Sequence, residues 1–160
     1  MRFHSLPNSK RYADTAVEYQ SLLDRHNTVL TELFAGHPVY VVTVSFVPDK
    51  DTAASSTTDP HALNPGSRLW TKIREDDDSD PGGTMHVHVG EQPWEPGSLD
   101  PLLRAVADDE CFGVIIMDAN LRRLYHPYDG GADAILASPQ ERDALQTTHA
   151  DWLSKHPLGL

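Results

Sequence analysis

Phe112-Gly113-Val114-Ile115-Ile116-Met117 is an apolar run without alternation, Asp118-Ala119-Asn120 follows with turn residues, and Leu121-Arg122-Arg123-Leu124-Tyr125 returns. A β-branched run closed by such a turn predicts two strands paired as an antiparallel hairpin. Pro127 ends the return strand, and Asp129-Gly130-Gly131 supplies residues that tolerate positive φ. Ala132-Asp133-Ala134-Ile135-Leu136-Ala137 then predicts a third strand. Strands bunched in this way form a meander, which implies an antiparallel or mixed sheet with helices packed on it.

Moving outward from the meander, Ser138-Pro139-Gln140-Glu141 reads as a capping box with proline at the first helical position. It predicts a last helix from Pro139 to about Lys155, with Leu145, His149 and Trp152 facing inward. On the N-terminal side, Ser98 or Asp100 caps a helix whose inner face is Leu99, Leu102, Leu103 and Val106. Asp108, Asp109 and Glu110 end it against the helix dipole, which hints at another use for these carboxylates. Thr84-Met85-His86-Val87-His88-Val89 alternates strictly. It predicts a half-exposed strand with Met85, Val87 and Val89 on one face and the two histidines on the outer one.

Arg68-Leu69-Trp70-Thr71-Lys72-Ile73-Arg74 predicts a short strand, and Val39 to Val47 a central strand buried on both faces. Residues 48–67 turn to Asp, Thr, Ser, Ala and Pro, and are expected to form a mobile loop. Between Ser9 and Phe34 the residues Tyr12, Ala16, Tyr19, Leu23, Leu30 and Leu33 recur at helical spacing, with His26 on the same stripe as a histidine at the core edge. Gly36 and Pro38 stop that helix. The order α, β, β, β, α, β, β, β, α describes one α+β domain spanning 1–160.

The 160 residues carry 24 acidic and 13 basic side chains, a formal charge of −11. Residues 48–110 hold 5 basic against 14 acidic residues, most of that excess. Such a balance opposes binding to DNA, RNA or anionic membranes, whose phosphates are neutralised by Lys and Arg. No apolar run approaches the roughly 20 residues of a membrane helix, and Met1 to Pro7 lacks the apolar stretch of a secretory signal. With Cys111 as the single cysteine, a reducing, cytoplasmic setting is expected. No Rossmann fingerprint or P-loop is present, so no cofactor is assigned.

Three groups of residues invite a functional reading. His86-x-His88, with His4, His126 or a carboxylate as third ligand, would be the start of a metal site. Tyr125-His126-Pro127-Tyr128-Asp129-Gly130-Gly131-Ala132-Asp133 is dense in polar and aromatic groups. It reads either as turn construction or as an interface, and Asp129 and Asp133 lack a neighbouring nucleophile. Finally, Trp70 and Trp94 lie within the acidic stretch that includes Asp76, Asp77 and Asp78. Aromatic anchors beside carboxylates suit a basic protein partner. Cys111 has no basic neighbour to stabilise a thiolate and reads as inert.

Leu124 to Asp133 and the closing Asp151-Trp152-Leu153-Ser154-Lys155-His156-Pro157-Leu158-Gly159-Leu160 resemble a bacterial family, domain of unknown function 3885. Asn8 to Tyr12 and Arg25-His26-Asn27 carry a fainter likeness to it. Other members have Tyr-Asp-Asp-Arg-Gly where this chain has Tyr128-Asp129-Gly130-Gly131, so no arginine role transfers there. The resemblance implies a fold unit and no catalytic residues. Taken together, these features lead us to expect a non-catalytic acidic binding module, an immunity-type protein that neutralises a basic partner such as a toxin domain. The alternative is a metal-dependent enzyme using His86, His88 and His126, with Asp129.

Overall fold

Thr15 starts the first helix. Its Oγ accepts from the Glu18 amide while the Glu18 carboxylate reaches back to the Thr15 amide, a reciprocal box that opens α1 (Ala16–Phe34). This overrides the expected start at Ser9. Pro7–Ser9 form a short 3-10 turn in which Asn8 and Ser9 take positive φ, and Lys10 pairs with Glu18 and Asp14. The buried stripe of α1 is Leu22, His26, Val29, Leu30, Leu33 and Phe34. Of the expected stripe, Tyr12 lies before the helix and is exposed, and Ala16 is exposed at its first turn.

The computed structural model describes residues 1–48, 60–75 and 83–153. Seven strands, β1 (Arg2–His4), β2 (Pro38–Pro48), β3 (Arg68–Glu75), β4 (Gly83–Pro93), β5 (Ile115–Asp118), β6 (Leu124–Tyr128) and β7 (Gly131–Ile135), form one sheet. Its order is β1-β7-β6-β5-β2-β4-β3, and every pairing is antiparallel. Three further helices, α2 (Pro60–Leu63), α3 (Asp100–Ala107) and α4 (Pro139–Thr148), complete an α+β fold. No helix among the described residues is long and apolar enough to cross a membrane. Most of the expected mobile loop of 48–67 lies outside the described residues; its last part forms α2 and the turn after it.

Strand β1 escaped the sequence reading because three residues carry no periodicity. It docks antiparallel on β7, and the Met1 ammonium donates to the Ala134 carbonyl at 2.7 Å. Helix α4 ends before Lys155 because His149 leaves helical geometry (φ −115°, ψ 35°) and stacks on Trp152 at 4.2 Å. Ser138 Oγ accepts from the Glu141 amide, one half of the expected capping box, while the Glu141 carboxylate accepts from Arg123 Nε at 2.9 Å instead.

Cross-strand register assigns the two faces of the sheet. Val41 pairs with Gly90 and Ile116, and Ile116 with Tyr125, which in turn pairs with Ala134. Val39, Val41, Ile116, Tyr125, Ala132 and Ala134 join the core built by α1, α3 and Leu145 of α4. The opposite face carries Tyr40, Val42, Val44, Ile115 and Met117, none of which belongs to that core. On this face Val42 is buried by its neighbours while Tyr40, Val44, Ile115 and Met117 are half-exposed, so the helices cover the runs 39–47 and 112–117 on one side only. A strand's apolar content shows that both faces avoid charge, not that both are covered.

The faces of β4 are also opposite to the sequence expectation. His86 pairs with Ser45 and His88 with Thr43, on the side facing the helices, whereas Met85, Val87 and Val89 point to the open side. Alternation separates two faces without naming the inner one. At this end of the sheet the inner face is polar and is covered by the turn after α2. Buried Asn64 there donates to the Val41 carbonyl at 2.9 Å, and a Cβ at Gly90 would sit 2.5 Å from the Asn64 Oδ1.

Candidate functional site

The open face of the sheet is the site with room for a partner. Met117 lies between Tyr40 and Leu124, Val42 lies beside Val89, and Val89 beside Arg68. A break in the β3 register between Leu69 and Thr71 turns Trp70 outward, leaving it 73% exposed. At the other rim Leu121 adopts φ 55° and is exposed. Asp118 Oδ1 holds that turn by accepting the amides of Arg122 and Arg123 at 2.8 and 3.2 Å.

These residues line a cleft of roughly 680 Å³ in which Arg68 and Glu91 are the charged members. No nucleophile or paired acid and base lies among its lining residues. Its chemistry is burial of apolar and aromatic surface, the usual source of binding energy at a protein interface. Tyr40, Val42 and Met117 lie in continuous apolar runs and Val89 on the apolar side of an alternating strand, all of which read as inward, and Leu121 opens the return strand without a surface signal. Helix number was the available signal. The sequence order gives three helices, each about 10 Å wide, which can cover only one face of a six-stranded sheet about 29 Å across.

A second arrangement has the look of catalysis but is sealed. Ser5 Oγ lies 3.0 Å from His26 Nε2, and Tyr125 Oη lies 2.7 Å from His26 Nδ1. This is the geometry of a nucleophile, a base and an orienting group. All three residues are buried, and the adjoining cavity of about 10 Å³ holds one water at most. Desolvation lowers the His26 pKa to about 4 and raises that of Tyr125. The chain of hydrogen bonds therefore acts as a polar rivet between β1, α1 and β6, with His26 neutral.

The dense segment 125–133 holds the N-terminal residues in place. Arg2 makes a two-pronged contact with Asp133 at 3.0 and 3.1 Å and lies over the Tyr128 ring at 5.5 Å. Asp129 Oδ2 accepts from Arg11 Nε at 2.5 Å and from the Tyr12 hydroxyl at 3.0 Å, and Arg11 holds its carboxyl below the usual range. Gly130 closes the β6–β7 hairpin at φ +83°, and a Cβ on Gly131 would lie 2.3 Å from the Phe3 carbonyl oxygen. Thus residues from both ends of the chain make one structural unit. A family model, domain of unknown function (DUF3885), matches residues 1–157. The chain belongs to this family. No curated protein and no solved structure matches it.

The structure separates several residues that the sequence grouped. Trp94 is 7% exposed, its Nε1 donating to Thr31 Oγ1 at 3.3 Å, and Tyr125 is 1% exposed. Both are core residues, not surface anchors, because their polar atoms find partners inside. Asp129 and Asp133 serve separate ion pairs and do not form an acid and base couple. Trp70, His126 and half-buried Tyr128 remain accessible. Asp76, Asp77 and Asp78 lie outside the described residues.

Nor do His86, His88 and His126 converge. Histidines 86 and 88 face the helices, while His126, paired with Asp133, is on the open side. Strands β4 and β6 are also three steps apart, about 14 Å. No group of three His, Cys, Asp or Glu side chains suited to a metal occurs among the described residues. Cys111 is buried, which raises its thiol pKa. The acidic end of α3 does have a local use, since Asp108 accepts from the Tyr19 hydroxyl.

Proposed function

We propose that this protein is a non-catalytic binding module, of the immunity type, that takes a basic protein partner onto the open face of its sheet. The single observation that carries this reading is the one-sided sheet. Its central strands present Tyr40, Val42, Val89 and Met117 away from the helix-packed core, beside the outward Trp70. Covering the exposed parts of Tyr40, Val89, Met117 and Trp70 with a partner gains about 25 cal/mol per Å² of apolar area buried. The overall charge of −11 supports an oppositely charged occupant over a second copy, which would bring a further −11 alongside.

The test uses the full chain as bait in lysate of the source cell, at low and high salt, beside the Met117→Asp variant. A basic protein retained by the wild type, weakened by salt and lost with Met117→Asp supports the reading. Retention indifferent to both salt and Met117→Asp, or self-association of the chain through this face, would overturn it.

A further inference from the structure

Arg25 differs from Arg2 and Arg11. Arg2 and Arg11 each pair with a carboxylate, whereas Arg25, half-buried on α1, pairs with none among the described residues. One Nη donates to the His4 carbonyl at 2.9 Å and the guanidinium stacks on the Trp152 ring at 5.1 Å, so the head group is fixed without being neutralised. Burial alone acts on its pKa, downward. The His4 imidazole next to it is lowered by burial and by the charges of Arg25 and Arg2. The guanidinium is thus held in place by a carbonyl and a ring, with no carboxylate in hydrogen-bond contact among the described residues.

Arg25 and His4 border a cleft of roughly 490 Å³ whose floor includes Asn8 and Ser9. Exposed Asp151 also borders it and makes no ion pair with Arg25. We propose that this cleft binds the oxyanion group, phosphate or carboxylate, of a small ligand, gripped by the remaining N–H groups of Arg25 with His4 as second donor. A planar guanidinium already oriented by a ring and a carbonyl suits two-pronged binding of an oxyanion. The site is separate from the open sheet face and does not depend on the function proposed for it.

The test follows the His4 ring and Arg25 Nε–H signals by NMR as inorganic phosphate or acetate is added to the full chain, with sodium chloride at equal ionic strength as baseline. We expect saturable shifts with a dissociation constant of about 1–10 mM. The anion that saturates lower identifies the source. Arg25→Gln should weaken binding ~10-fold or more, and Arg25→Lys, which keeps charge but not the fork, should also weaken it. Absence of any shift beyond the chloride baseline for both anions overturns the proposal, as does wild-type affinity in folded Arg25→Gln. If Arg25→Gln fails to fold, His4→Gln read at the Arg25 signal decides: weaker binding supports the site and unchanged binding contradicts it.

Discussion

Acidification should loosen this protein through His26 before its carboxylates titrate. The imidazole is buried between Ser5 and Tyr125, and its pKa falls from 6.5 to about 4 on folding. The unfolded chain therefore binds a proton at pH values where the native state does not, and stability declines as pH drops below about 6.5. For one group shifted this far, the loss between pH 7.5 and 4.5 is on the order of 2–3 kcal/mol. Below about pH 4 both states are protonated and this contribution is gone. Asp129 and Glu141, whose pKa values are lowered by Arg11 and Arg123, act in the other range. Their stabilisation is present above the unfolded carboxylate pKa and is lost as pH falls below it.

His4 also has a lowered pKa, so the decisive comparison is wild type against His26→Gln. Urea unfolding of each, followed by tryptophan fluorescence at pH 7.5, 6.5, 5.5 and 4.5, gives the two profiles. His26→Gln should be less stable at pH 7.5 but should lose ~2 kcal/mol less than wild type on going to pH 4.5. Parallel profiles for the two proteins would refute the reasoning.

Tyr125→Phe removes one partner from buried His26 and should cost ~1–3 kcal/mol in urea unfolding, with little change in the native spectrum. Gly131→Ala places a methyl group 2.3 Å from the Phe3 carbonyl. It should cost ~1–3 kcal/mol and speed hydrogen exchange at the β1–β7 pairing, because the backbone there must shift. Trp70→Ala, at an exposed position, should alter stability by less than ~0.5 kcal/mol while weakening partner binding at least ~10-fold, measured by calorimetry.

Local chemistry in the sequence predicted much of the fold. The meander of β5, β6 and β7 follows from a turn at 118–120 and from Asp129-Gly130, and α4 starts at the Ser138 cap where the sequence places it. Long-range contacts decided the rest. β1 exists because Arg2 and Met1 find partners on β7, and no window of sequence around residues 2–4 contains that information. The faces of β4 were assigned the wrong way round for a related reason. Histidine, threonine and asparagine line the interior beyond the helices, while valine and methionine line the other side. The same rule of apolar residues inward hid Tyr40, Val42, Val89 and Met117 as a surface and promoted Trp94 and Tyr125 to anchors.

The most direct test is hydroxyl-radical footprinting of the chain alone and bound to a basic partner. Two of the three methionines, Met85 and Met117, lie on the open face with Tyr40, and Trp70 stands at its edge. Binding as proposed will slow oxidation of Met85, Met117, Trp70 and Tyr40 and leave exposed Tyr12 and Phe112 unchanged. Protection of Tyr12 or Phe112 with undiminished oxidation of Met117 and Trp70 would contradict it.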